Sequence, residues 1–217
     1  MYKDYSSIEK FLHNLSLSSK EIKKIFFFLE KKIFGNNTLI NNHSNNIFLG
    51  GLPRCGSTAI LYFLNESNEF GALKYRNMPF ILSPKINQII FNNLKKISIK
   101  ERTHGDGLKF SLNTPEAFDE IFFSIFTDVE DKILSENYCY YINQVLKLQN
   151  KNRYLSKNNN LYKRIDFLTN YFEKSNKLFI IRNPYNQSYS LLRQHLKFCE
   201  LQKKDVFVKK YILFDCH

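Results

Sequence analysis

Gly51 and Gly56 stand five positions apart, with Arg54 between them and Ser57 and Thr58 directly after. The apolar run Ile47-Phe48-Leu49 precedes the pair, and the pattern Ala59, Ile60, Leu61, Phe63, Leu64 follows it. That order predicts a buried strand, a tight turn and a helix N-terminus, where amide N–H groups and the helix dipole converge on an anion. The spacing Gly51-x4-Gly56 fits a nucleotide-binding phosphate loop but departs from it at one place. Where such a loop carries a lysine after its second glycine, this chain has Ser57, and the nearby cation is Arg54. Phosphoryl transfer needs that lysine on the terminal phosphates. A cation inside the loop suits a 5′-phosphate whose terminal group is less charged.

Other residues have the types and surroundings for chemistry. His104 lies between charged residues and glycines rather than on an apolar face. Its imidazole titrates near neutrality when unperturbed, which suits it to take a hydroxyl proton. Arg153 to Asn159 reads as a short strand that delivers Lys157 to its carboxyl end, the edge where ligands of open α/β sheets collect. The strand expected at 177–181 runs straight into Arg182-Asn183-Pro184, with Asn183 as N-cap and Pro184 at the first helical position. Ser190 follows eight positions after Arg182. A guanidinium at a strand end with a hydroxyl nearby is a clamp for a dianion. Thr114-Pro115-Glu116 reads as a helix start, with Glu116 in its first turn.

The elements that must position these groups follow from periodicity. Residues 6–34 predict two amphipathic helices, the second opened by the capping box Ser18/Glu21, with an inward stripe of Ile22, Ile25, Phe26, Leu29 and Ile33 and a stop at Gly35. A polar loop spans 36–46. A second strand is expected at 71–76 and a helix at 85–94. Helical packing segments are expected at 121–126 and 133–148, and a crossover helix at 161–172. Strands alternating with helical crossovers predict a three-layer α/β/α fold with a mainly parallel sheet. The expected organisation is a helical hairpin and loop over 1–46, packed on a core domain over 47–217.

The chain has 217 residues, 43% of them hydrophobic and 16% aromatic, enough for one domain with a sizeable core. A formal charge of +12 points to an anionic partner, although the lysines are scattered as on a solvated surface. Neither a basic run interleaved with aromatics nor a zinc-finger spacing favours nucleic acid. Cys55, Cys139, Cys199 and Cys216 form no CxxC pair, so reduced thiols are expected. His195 and Cys199 lie one helical turn apart but lack the further ligands of a metal site. The start of the chain is polar, with no secretory signal, and the apolar run at 25–29 is too short to span a bilayer; a cytoplasmic protein is expected.

Pro53-Arg54-Cys55-Gly56-Ser57-Thr58 closely resembles the 5′-phosphosulfate loop of sulfotransferases. Arg102-Thr103-His104 is similar to the segment that carries their catalytic base, and its downstream glycines are similar to bacterial members. Arg182 to Ser190 resembles their 3′-phosphate segment, and Lys157 stands in a segment like their Lys-Thr/Asn-Pro. The resemblance covers about residues 47–214. It implies the sulfotransferase fold, of the P-loop nucleoside-triphosphate-hydrolase type. It implies transfer of a sulfuryl group from 3′-phosphoadenosine-5′-phosphosulfate (PAPS) to an acceptor hydroxyl, on a glycan or glycolipid, with no metal. Pro53 to Thr58, Arg182 and Ser190 would bind the donor, with Arg54 as catalytic cation. His104 would be the base, with Glu116 as second candidate because some carbohydrate sulfotransferases use a glutamate. Lys157 and His195 would meet the acceptor. Family members usually continue past the point where this sequence stops, so an incomplete C-terminus is expected. A binding-only remnant and a P-loop kinase are the alternatives, the kinase disfavoured by the absent lysine.

Overall fold

The computed structural model describes residues 19–35, 45–91, 100–101 and 109–204. In chain order its first elements are α1 (Lys20–Phe34), β1 (Ile47–Gly50), α2 (Ser57–Glu66), β2 (Phe70–Gly71) and α3 (Pro84–Phe91). Next come β3 (Lys100–Glu101), β4 (Lys109–Phe110), α4 (Asp119–Ile125) and α5 (Asp131–Gln149). The chain continues through β5 (Arg153–Asn158), α6 (Ile165–Tyr171), β6 (Asn176–Phe179) and α7 (Pro184–Lys204). Four strands form one all-parallel sheet in the order β2-β5-β1-β6, and β3 pairs antiparallel with β4.

Alternation along β1 builds the layers. Ile47 and Leu49 join Leu61 of α2, Phe70 and Leu155 in one apolar cluster. Phe48 points the other way, into a cluster with Phe27 of α1, Phe122 of α4, Tyr138 and Tyr141 of α5, and Phe167 of α6. Helices therefore cover both faces of the sheet, the three-layer α/β arrangement expected from the alternating pattern. The larger core is aromatic: Phe122 stacks on Tyr141 with centroids 5.5 Å apart, and Phe27 packs edge-on to Phe126 and Tyr140. Burying such a ring contributes about 1.5–3 kcal/mol. Asp119 lies fully buried in this core and accepts from Tyr138 Oη (2.8 Å) and Tyr154 Oη (2.6 Å). Burial raises its carboxyl pKa above the ordinary value, while the hydroxyls oppose the shift.

Several local expectations are corrected. The cap of α1 is Ser19, whose Oγ accepts from the amides of Glu21 and Ile22 and donates to Glu21 Oε2. The inward face of α1 is Phe27 and Glu30, and Ile25, Leu29 and Ile33 are exposed. The reason is Phe27, which packs among Phe122, Phe126 and Tyr140; on the same face Glu30 Oε2 accepts from Ile86 N at 2.8 Å at the N-terminus of α3. The strand expected at 71–76 is two residues, Phe70–Gly71, followed by a 3₁₀ turn at Tyr75–Asn77. Thr114 does not open a helix. Its Oγ1 accepts from Ser111 N within a turn, and α4 begins at Asp119. β6 is an edge strand with Leu178 and Phe179 each 44% exposed, not a buried strand. The helix expected at residues 6–17 lies outside the described residues. Among the described residues no helix is long and apolar enough to cross a membrane.

Candidate functional site

β1 ends at Gly50, level with Asn158 of β5 and Phe179 of β6, so the loop that follows leaves from the middle of the carboxyl edge. Gly51 has φ +148°, and a Cβ there would meet Cys55 Sγ and Ile180 O, both at 2.7 Å. No side chain fits. Arg54 adopts the left-handed region at φ 69°, a conformation that costs a non-glycine residue about 1–2 kcal/mol. Gly56, at φ 101°, is the N-cap of α2 and brings no side chain to its orphan amides. A Cβ on Gly56 would meet nothing within 4 Å, so the space there is open. The first turn of α2 carries no acid, and neither does that of α7, so both N-terminal dipoles lack an acidic neighbour within their own first turns.

The residues expected from sequence converge on this loop. Arg54 Nε donates to Ser190 Oγ at 3.0 Å, and Arg182 Nη1 donates to Arg54 O at 3.1 Å. Lys157, only 8% exposed, donates from Nζ to Thr58 Oγ1 at 3.0 Å across from β5. Asn183 caps α7, its Oδ1 accepting from Tyr185 N and Asn186 N. Cys55 and Ser57 are buried in the loop. Pro53, Arg54, Cys55, Gly56, Ser57, Thr58, Lys157, Arg182 and Ser190 thus form one neighbourhood with three cations.

Behind it, Glu120 fixes the end of β5. Its Oε2 accepts from Asn158 Nδ2 at 2.8 Å and its Oε1 from Arg164 Nη2 at 3.0 Å. Two supporting residues had no motif to announce them. Glu120 is one; the other is Gln187, 8% exposed, which donates from Nε2 to Pro53 O at 2.8 Å. The signal that reaches Gln187 is helical periodicity. It stands three residues before Ser190, and Gln187, Ser190, Gln194 and Phe198 are the less exposed stripe of α7.

Two of the remaining candidates lie away from the loop. Glu116 is not in a helical first turn. Its backbone N donates to Leu73 O at 3.0 Å, its Oε2 accepts from Tyr75 Oη at 2.7 Å, and its Oε1 accepts from Ala117 N. That puts it beside the segment after β2, at the opposite end of the strand order from β6. Lys74 sits beside it, in a bridge to Pro115; burial first, then Arg76 and Lys151, lower its pKa. His195 is exposed, off the loop-facing stripe, with Nε2 3.5 Å from Cys199 Sγ. His104 lies outside the described residues. Among the described residues no group of three His, Cys, Asp or Glu is placed to hold a metal ion.

No protein-family model matches the chain, and no curated protein sequence does. In structure the chain is similar to sulfotransferase STF1 from Mycobacterium tuberculosis. The likeness is distant. The TM-score is 0.49 and the identity 13%, over 82% of this chain and 56% of that one, so the chain spans little more than half of that protein's length.

Proposed function

We propose that this chain is a PAPS-dependent sulfotransferase acting on an acceptor hydroxyl, with a carbohydrate as the acceptor class. The single observation that supports the reading is the meeting of Arg54, Lys157, Arg182 and Ser190 on one glycine-turned loop at the sheet's carboxyl edge. The donor fits this donor set. A helix N-terminus without a side-chain cap, open space in front of Gly56 and three cations together suit a nucleotide with phosphate groups at both ends.

On this reading the donor, when bound, supplies the sulfuryl group. The amides at the N-terminus of α2 and Arg54 hold the 5′-phosphate and stabilise charge on the leaving oxygen. Ser57, Thr58 and Lys157 add contacts on the same side. Arg182 and Ser190 hold the 3′-phosphate. His104 takes the acceptor proton, and Glu116 is the second candidate for that task. Calorimetric titration tests the reading: adenosine-3′,5′-bisphosphate should bind about tenfold or more tightly than ATP, from the 3′-phosphate contact to Arg182. Equal affinity for the two would overturn it.

A further inference from the structure

We propose that Gln187 is a positioning residue that holds the two halves of the phosphate site in register. The inference rests on the reading above, which places the 5′ half on the loop and the 3′ half on Arg182 and Ser190.

Three side chains from the β6–α7 segment touch the loop. Arg182 Nη1 is bonded to Arg54 O and Ser190 Oγ to Arg54 Nε, while Gln187 Nε2 is bonded to Pro53 O. The first two belong to residues with exposed or half-exposed side chains that a bound dianion would recruit. A stronger, charge-assisted partner then competes with the Arg54 contacts. Gln187 differs. It is buried, and its amide is committed to a main-chain carbonyl one residue before Arg54. When Arg182 and Ser190 turn to a ligand, the Gln187–Pro53 bond is the one of the three that need not change. It stands midway between them, four residues after the cap Asn183, whose O accepts from Gln187 N at 3.0 Å, and three before Ser190. The bond therefore fixes the first turns of α7 against the loop.

The consequence is coupling. A ligand that spans both halves gains from both only if their separation is preset, since a site misplaced by about an ångström loses much of what it could supply. A ligand that uses the loop alone is indifferent to it.

The experiment measures adenosine-3′,5′-bisphosphate and AMP by calorimetry on the full chain, unmutated and with Gln187→Met, which keeps the side chain's length and removes its donor. The unmutated chain should prefer the bisphosphate about tenfold or more. In Gln187→Met that preference should fall below about threefold, with AMP affinity changed by less than about threefold. Gln187→Leu, which also lacks the donor and adds no charge, should give the same loss and serves if the Met variant does not fold. A merely structural role would lower the melting temperature and leave the preference intact. That result overturns the inference and spares the reading. No preference in the unmutated chain overturns the reading, and the inference with it.

Discussion

Arg54 and Ser190 are joined by a hydrogen bond of 3.0 Å between residues 136 positions apart in the chain. The loop's own cation is thus held by the hydroxyl expected to help clamp the nucleotide's far end. The free site is already cross-tied, and on the proposed reading a 3′-phosphate that draws Ser190 aside would release Arg54 from it. Release and capture would then be one exchange, bringing the guanidinium to the 5′ side when the 3′ side is filled.

Ser190→Ala removes both ends of that exchange. A half-exposed hydrogen bond contributes about 0.5–1.5 kcal/mol, so the melting temperature should move by only a few degrees. Affinity for adenosine-3′,5′-bisphosphate should fall about three- to tenfold, and affinity for AMP should hold or rise. A parallel fall for both nucleotides in calorimetry would count against the exchange.

Arg54→Ala should abolish sulfuryl transfer, and Arg54→Lys should retain part of it, because one cation still reaches the bridging oxygen. Arg54→Gly is the sharper variant. At φ 69° glycine is unstrained, so it should fold at least as well as the unmutated chain while losing transfer. Normal turnover with Arg54→Gly would remove Arg54 from the chemistry.

General-base catalysis supplies roughly 10²–10⁴-fold. His104→Ala should cut transfer by that order and leave nucleotide affinity nearly unchanged. Glu116→Gln should cost far less turnover, because its carboxylate is engaged with Tyr75 and the Ala117 amide. The reverse ranking in a transfer assay would make Glu116 the base.

Glu30 sets a pH dependence. Burial raises its pKa from 4.5 to about 7, against the lowering effect of the Ile86 and Lys85 amides and the Lys85 charge. Between those values the folded chain keeps a proton that the unfolded chain gives up. This group's stabilising contribution is therefore full below about pH 4.5, declines as pH rises towards 7, and is gone above it. Two and a half pKa units correspond to about 3 kcal/mol. Glu30→Gln should lose that downward slope in denaturant melts taken across pH 4.5–7.5, and an unchanged slope would refute the assignment.

The loop and the segment that meets it were legible because their residues are set by local geometry: glycines where the backbone turns left-handed, a cap and a proline where a helix begins. Arg182 and Ser190 could be paired from a strand end and a helical repeat. Their contact with Arg54 could not, since nothing local ties position 190 to position 54. The phase of α1 was illegible for another reason. Phe26-Phe27-Phe28 satisfies two phases, and the choice fell to the aromatic core that takes Phe27 from a distant part of the chain. The run Leu178-Phe179-Ile180-Ile181 reads as buried in any parallel sheet, but its exposure follows from strand order, which composition does not carry. At Thr114-Pro115-Glu116 the composition of a helix cap is used by a turn.

The position of β6 has a consequence for how tightly any donor is held. Among the described residues it lies at the end of the sheet, hydrogen-bonded to β1, with Leu178 and Phe179 half exposed. A strand with so little apolar surface covered is among the first to open, on a free-energy scale well below global unfolding. Arg182 follows three residues after its end. On the proposed reading the 3′ half of the site would form only for the fraction of time that β6 is docked, and measured affinity would be the intrinsic affinity scaled by that fraction. If the donor binds as proposed, its binding and the closing of β6 are one linked equilibrium, and the nucleotide should slow amide exchange at Leu178 and Phe179.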